Sequence, residues 1–171
     1  NYFTENSTYA LKAQELLQVW FLDEDTYMNP NLDYAEIEKG KGRLNPSGIM
    51  EGVDLPELTD SIRLLELSPG WSKEVKTGME EWFNGYFNWL LSSHSGKFEG
   101  KRMNNHGTYY NVQVAWIALF LNKTDFTKDL LESMMQDISS APYEDVSNLF
   151  VVRINPGASQ PFELARTTSL H

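Results

Sequence analysis

The chain has 171 residues, a hydrophobic content of 41% and a formal net charge of −10. This size and hydrophobicity suffice for one domain with a buried core, whereas the negative charge argues against general binding of nucleic acid. Cysteine is absent, which excludes disulfides, zinc–thiolate sites and thiol nucleophiles. No apolar run approaches the roughly 20 residues that a membrane-spanning helix needs.

The first half of the sequence predicts helices separated by one long loop. Apolar residues at helical spacing predict a helix over residues 4–21. Residues 31–54 are rich in Gly, Pro and Asn and predict a long loop, a feature that is usually functional or mobile. A second helix is predicted over residues 55–67, because Pro56 suits a first helical turn.

The next predicted helix has Ser72 as its N-cap and runs to about residue 92. Its broad apolar stripe includes Trp82, and that spacing favours a core position for the aromatic residues, although a sugar-stacking surface is the other reading. Gly78 and Gly85 would allow another element to approach closely, at a propensity cost of up to about 1 kcal/mol each.

After a polar loop predicted over residues 93–102, the stretch NNHGTYYNVQ occupies residues 104–113, directly before an apolar helical run that ends at Leu121. Asparagine is favoured at helix starts, where exposed N–H groups attract anions. The stretch is therefore a candidate site for a carboxylate. The alternative is an ordinary helix N-terminus with one structural histidine.

The remainder of the sequence predicts two further helices and a short extended segment. Asp125 is predicted to cap a helix, residues 149–154 are rich in β-branched side chains and predict a short strand, and residues 160–171 predict the start of a last helix. Helices joined by short turns indicate an all-α array of helical hairpins. Because no exact repeat is visible, we expect a divergent toroid rather than a regular solenoid.

Residues 104–113 and a second block, QPFELARTTS at residues 160–169, resemble the two signature blocks of the alginate lyase superfamily of polysaccharide lyases. MNPNL at residues 28–32 and WFNGYFNWL at residues 82–90 resemble further family segments. The resemblance implies an incomplete (α/α) toroid and β-elimination of uronic-acid polymers such as alginate or glucuronan. Residues 1–171 are accordingly expected to form one toroid-type lyase domain, with truncation at either end allowed for.

Carried over residue by residue, the resemblance makes Asn105, His106 and Arg166 the catalytic candidates. The family also uses a tyrosine after the arginine of the second block, and we expect it just beyond His171. The candidate substrate-binding residues are Asn104, Tyr109, Tyr110, Gln160, Trp82, Lys101 and Arg102.

These residue types suit the expected chemistry. A lyase removes the C5 proton of a uronate, which requires the adjacent carboxylate to be neutralised. An amide, a guanidinium and an imidazole can do this together, and a guanidinium fits a carboxylate with two hydrogen bonds. His106 could instead be the base for one C5 stereochemistry. Arg166 has an alternative role in a salt bridge with Glu163 on the last predicted helix.

The expected partner is an acidic polysaccharide, with no nucleic acid, no membrane and no cofactor. The negative net charge opposes such a substrate, and a local basic groove would resolve the conflict. Its candidate members are Lys39, Lys41, Arg43, Lys97, Lys101 and Arg102. The sequons at Asn6 and Asn122 predict a glycoprotein that is secreted or periplasmic.

Two other functions fit the same residues. One is a non-catalytic module that binds acidic polysaccharide on a lyase-like helical scaffold. The other is a helical-repeat interaction domain with aromatic grooves. A zinc hydrolase is disfavoured because the three histidines have no metal-binding spacing.

Overall fold

The computed structural model describes residues 6–37, 39–40, 42 and 44–140, without the side chains of residues 137–140. The strand predicted over residues 149–154 and the helix predicted over residues 160–171 lie outside these residues. The described part of the chain is all-α, as predicted, with one isolated β-bridge between Ile37 and Leu44. Its helices are α1 (Ser7–Leu17), α2 (Leu55–Leu65), α3 (Lys73–Ser92), α4 (His94–Glu99), α5 (Asn105–Phe120) and α6 (Thr124–Ser140).

The chain after α1 packs along α3. A π-helical turn, Gln18–Leu22, continues α1, and the chain then runs beside α3 so that Leu22 faces Gly78 and Pro30 faces Gly85. A Cβ atom at position 85 would lie 3.1 Å from Pro30 Cγ. The two glycines thus permit the close approach that the sequence predicted, and the helix propensity lost there is offset by packing.

The predicted long loop over residues 31–54 contains an ordered 3₁₀ helix, Pro46–Gly52, so that prediction was wrong for this part. Asn45 caps it by accepting a hydrogen bond from the Ser47 N–H at 3.1 Å. Gly48, Ile49 and Gly52 are buried. The prediction failed because the burial of this segment depends on elements that are distant in sequence, and its own residues show little periodicity.

The core lies between α3 and α5. Along α3, the Trp82 and Tyr86 rings stack at 5.6 Å and the Tyr86 and Trp89 rings at 5.5 Å. Helix α5 contacts α2, α3, α4, α6 and the 3₁₀ helix, and it is buried on most of its circumference, as expected of a helix apolar on all sides. Arg63 of α2 donates to the Leu119 carbonyl at 2.6 Å and so satisfies a backbone acceptor at the C-terminal end of α5.

Two boundary predictions need correction. The polar loop predicted over residues 93–102 contains α4, whose N-cap Ser93 accepts a hydrogen bond from the Gly96 N–H at 2.9 Å. Gly96 lowers helix propensity, but it is required because a Cβ there would collide with the Leu90 carbonyl. Asp125 lies in the first turn of α6, after Thr124, and does not cap it.

None of the described helices has the length and apolar character needed to cross a bilayer.

Candidate active site

The candidate site is built at the N-terminal end of α5. Asn104 has extended backbone geometry and caps the helix, because its Oδ1 accepts a hydrogen bond from the His106 N–H at 3.1 Å. Asn105 is the first residue of the helix and is half-buried. The predicted cap is therefore confirmed, and it fixes the direction in which the next two side chains leave the helix.

Gly107 holds the preceding loop against this helix start. A Cβ at this position would collide with the Arg102 carbonyl oxygen. Only a residue without a side chain allows this approach, and Gly107 is buried. The backbone at Arg102 therefore lies directly against the first turn of α5, beside His106.

The His106 imidazole pairs with a buried carboxylate. Its Nδ1 lies 3.0 Å from Glu99 Oε2, and the exposed fractions of the two side chains are 25% for His106 and 0% for Glu99. The other carboxylate oxygen of Glu99 accepts a hydrogen bond from Ser47 Oγ at 3.2 Å. The site thus joins α4, α5 and the 3₁₀ helix through one acidic side chain.

Sequence reasoning missed Glu99 because it lies in the segment predicted as a polar loop. The available signal was its spacing, since Glu99 precedes His106 by seven residues. That spacing alone indicates no contact, because the two residues lie on different helices, and what distinguishes Glu99 is complete burial. Burial of a charged group is rare unless the group is paired.

Basic side chains lie on α4 and on the loop that joins α4 to α5. Lys97 and Lys101 are exposed. Arg102 is half-buried, and its guanidinium lies over the Phe98 ring, 5.4 Å from the centroid. Lys39 is also exposed, while Lys41 and Arg43 lie outside the described residues. The basic groove thus stays a prediction, as do the substrate contacts of Lys101 and Arg102.

Comparison with known proteins identifies the family. The family model for alginate lyase matches residues 1–171. The chain belongs to the alginate lyase family. A crystal structure of an alginate lyase from Bacteroides ovatus is similar, with 34% sequence identity and a TM-score of 0.75. The similarity covers 79% of this chain and 36% of that chain, so the matched part of this chain spans about a third of that lyase. No curated protein matches.

Family membership confirms the resemblance drawn from the two sequence blocks, and the similar structure confirms the toroid type of all-α fold. The catalytic residues of this alginate lyase family member remain predictions. Asn105 and His106 are adjacent at the start of α5. Gln160 and Arg166 lie outside the described residues, so the substrate contact of Gln160 and the convergence of Arg166 with His106 stay predictions.

Two predicted sugar-binding residues of this family member lie in the core. Trp82 is 6% exposed, and its Nε1 donates to the Met28 carbonyl at 2.7 Å. Tyr110 is 8% exposed, its hydroxyl donates to the Leu90 carbonyl at 2.9 Å, and burial raises the pKa of that hydroxyl. Because both polar atoms bond to backbone and both rings are covered, contact with a sugar does not fit their placement. Tyr109 is half-buried and stays a candidate.

Among the described residues of this family member, no group of three or more His, Asp or Glu side chains is arranged to hold a metal ion. Glu99 and His106 form a pair without a third such neighbour in that part of the chain.

Proposed function

We propose that this protein is a polysaccharide lyase that cleaves uronic-acid polysaccharide, alginate or glucuronan, by β-elimination. The observation that carries the proposal is the pair of His106 and buried Glu99, 3.0 Å apart, at the start of a capped helix. The pair lies within the block that resembles the family signature. Membership of the alginate lyase family supports the reaction class.

β-Elimination requires that the negative charge on the uronate carboxylate be stabilised, and the site offers groups that can do this. A base takes the C5 proton, the C–H electron pair forms the C4–C5 double bond, the C4–O4 bond breaks, and the leaving oxygen takes up a proton. Negative charge passes into the uronate carboxylate as the C5–H bond weakens. Groups that bind that carboxylate stabilise the transition state more than the ground state.

Asn105, His106 and Arg166 are proposed to neutralise the carboxylate. Asn105 lies at the N-terminal end of α5, where backbone N–H groups and the helix dipole also favour an anion. Within the described residues its side-chain amide has no hydrogen-bond partner, so it is available to donate to a substrate. Arg166 would add a two-pronged contact.

His106 has a second possible task. With Glu99 beside one ring nitrogen, the other can accept a proton, and the resulting positive charge is stabilised by the carboxylate. For one of the two C5 configurations, His106 would then be the base itself. Substrates that differ in C5 configuration, mannuronate and guluronate polymers, distinguish the two tasks.

The test is incubation of the intact protein with alginate and with glucuronan, followed by ultraviolet absorbance of the unsaturated product. Asn105→Ala is expected to lower kcat/KM by about 10²-fold or more, since one preorganised donor is worth that much. Asn88→Ala is the control, because Asn88 is exposed on α3. Binding of polyuronate without any product would instead select the non-catalytic module, and absence of both would reject an acidic polysaccharide partner.

A location outside the cytoplasm, either secreted or periplasmic, is proposed on two further grounds. Both sequon asparagines, Asn6 and Asn122, are exposed, and a polysaccharide substrate would be met outside the cytoplasm. Recovery of the protein in the cytoplasmic fraction of the producing cells would contradict this.

A further inference from the structure

We propose that Glu99, held by Ser47, is a positioning residue that keeps a proton on Nδ1 of His106 and thereby presents Nε2 to the substrate. The kinetic half of this inference rests on the proposed lyase function. The half that concerns the imidazole itself does not, because the ring tautomer can be measured without substrate.

The direction of the hydrogen bond follows from the chemistry of the partners. An ionised carboxylate has no proton to give and only accepts hydrogen bonds. Glu99 Oε2 lies 3.0 Å from His106 Nδ1. Nδ1 therefore donates, and in the neutral imidazole the lone pair is left on Nε2. A free histidine in water is not held to this choice.

Burial makes the choice firm. The Glu99 side chain is completely buried, so water cannot easily replace His106 as its partner. Its second oxygen is held by Ser47 Oγ at 3.2 Å, and the Ser47 backbone is itself fixed by the Asn45 cap. A carboxylate held from both sides can orient an imidazole as outer partners orient metal-bound histidines.

Nε2 remains for the substrate. Among the described residues it has no hydrogen-bond partner, and the His106 side chain is one-quarter exposed. The carboxylate also stabilises positive charge on the ring. Whether Nε2 donates to the uronate carboxylate or takes the C5 proton, Glu99 supports the same protonated form.

The tautomer test uses the intact protein with its histidines labelled with ¹⁵N, and long-range ¹H–¹⁵N NMR spectra recorded over a pH series that extends to alkaline pH. The His106 signals are assigned by their loss in His106→Gln. We expect Nδ1 to carry the proton in the wild type and the proton to shift toward Nε2 in Glu99→Ala. His94, which is exposed and stacks on Phe98, should be unaffected. A wild-type proton on Nε2, or an unchanged tautomer in Glu99→Ala, would overturn the proposal.

The kinetic test compares three variants on the polyuronate that the wild type cleaves. Glu99→Ala should lower kcat by about 10²-fold or more with little change in KM, because the loss falls on the transition state. Glu99→Gln, which can still accept from Nδ1, should recover part of that loss. Ser47→Ala should cost less, about 3-fold to 10-fold, because Glu99 keeps its other partner.

Glu66→Gln serves as the matched control. Glu66 accepts from Lys76 Nζ at 2.8 Å in a partly exposed ion pair, so its loss should leave kcat unchanged. Equal losses of kcat in Glu99→Gln and Glu99→Ala, with unchanged thermal unfolding, would overturn the positioning role. If the wild type cleaves no polyuronate but shows the Nδ1 tautomer, the proposed function fails and the role of Glu99 stands.

Discussion

Helix α5 contributes one residue to each of two polar networks. One network reaches an exposed ring edge, and the other is closed within the core. Near its start, Glu99 pairs with His106, which is one-quarter exposed. About two turns later, Gln113 accepts from the Tyr86 hydroxyl at 2.9 Å and donates to the Ile49 carbonyl at 3.0 Å, entirely within the core. Both pairs reach the same 3₁₀ helix, one through Ser47 and the other through Ile49.

The contrast distinguishes a pair suited to act on a ligand, His106 with Glu99, from one that stabilises the fold, Gln113 with Tyr86. In the Gln113 network both amide atoms are bonded and neutral, as a structural network requires. In the His106 pair one partner is a carboxylate and the ring keeps one nitrogen without a described partner. A network that is closed stabilises, whereas one that ends at an exposed titratable atom can act on a ligand.

The largest expected effect is from His106→Gln. The new amide still donates to Glu99, so the buried carboxylate keeps a partner, but the imidazole is lost. We expect kcat/KM to fall by about 10³-fold, which corresponds to about 4 kcal/mol. The free energy of unfolding should change by less than about 1 kcal/mol. The control is His94→Gln. A large loss of unfolding free energy in His106→Gln would mean that His106, like Gln113, mainly stabilises the fold.

Gln113→Leu should give the opposite result. It leaves the Tyr86 hydroxyl and the Ile49 carbonyl without their buried partner, at a cost of about 2–4 kcal/mol in unfolding free energy. Urea unfolding measures this directly. Gln18→Leu, at an exposed position, should stay within about 0.5 kcal/mol of the wild type. Specific activity per folded molecule should persist in Gln113→Leu. Its loss would contradict the assignment of different roles to the two pairs.

Gly52→Ala would disturb the closed pair without removing a polar atom. A Cβ there would lie 2.7 Å from both Gln113 Oε1 and the Tyr86 hydroxyl oxygen, so the network must shift. We expect a loss of about 1–3 kcal/mol, typical of overpacking. Gly40→Ala is a poor control because its φ is +82°, whereas Ser61→Ala on exposed α2 surface is suitable. A neutral Gly52→Ala would mean that the network is loosely packed.

The last expected effect is a dependence of stability on pH in alkaline solution. Burial raises the pKa of Tyr86 and that of Tyr110 above the ordinary value of 10.0. Above that pH the unfolded chain has lost protons that the folded chain keeps, so stability falls as pH rises, by at most about 1.4 kcal/mol per pH unit for each tyrosine. Tyr86→Phe should reduce this slope in urea unfolding at pH 10 to 12. An unchanged slope would contradict the closed burial of Tyr86.

The sequence predicted the features that local chemistry determines. Ser72 accepts from the Val75 N–H at 3.2 Å and Asn104 caps α5, because both cap residues precede regular apolar patterns. The partners of the site are a different matter. Ser47 and Glu99 are 52 residues apart, and a lone acidic residue between two glycines shows no sign that tertiary packing will bury it.

The same limit explains the aromatic residues. Trp82 was included among the sugar-binding candidates, although its spacing fits the apolar stripe, and the fold places it in the core. Tyr110 follows His106 in the family block but is on a covered side of α5. Sequence proximity to a catalytic residue does not determine which face of a helix a side chain occupies, because successive residues turn around the axis.

The contact of Gly107 with the Arg102 carbonyl has a practical consequence for anyone redesigning this protein. The loop is anchored through its main chain, so mutant libraries can vary exposed side chains such as Lys101 and Met103, which is 89% exposed, while the histidine stays where it is. Substitutions at these positions can thus change the exposed surface of the loop, provided that codon 107 is left untouched.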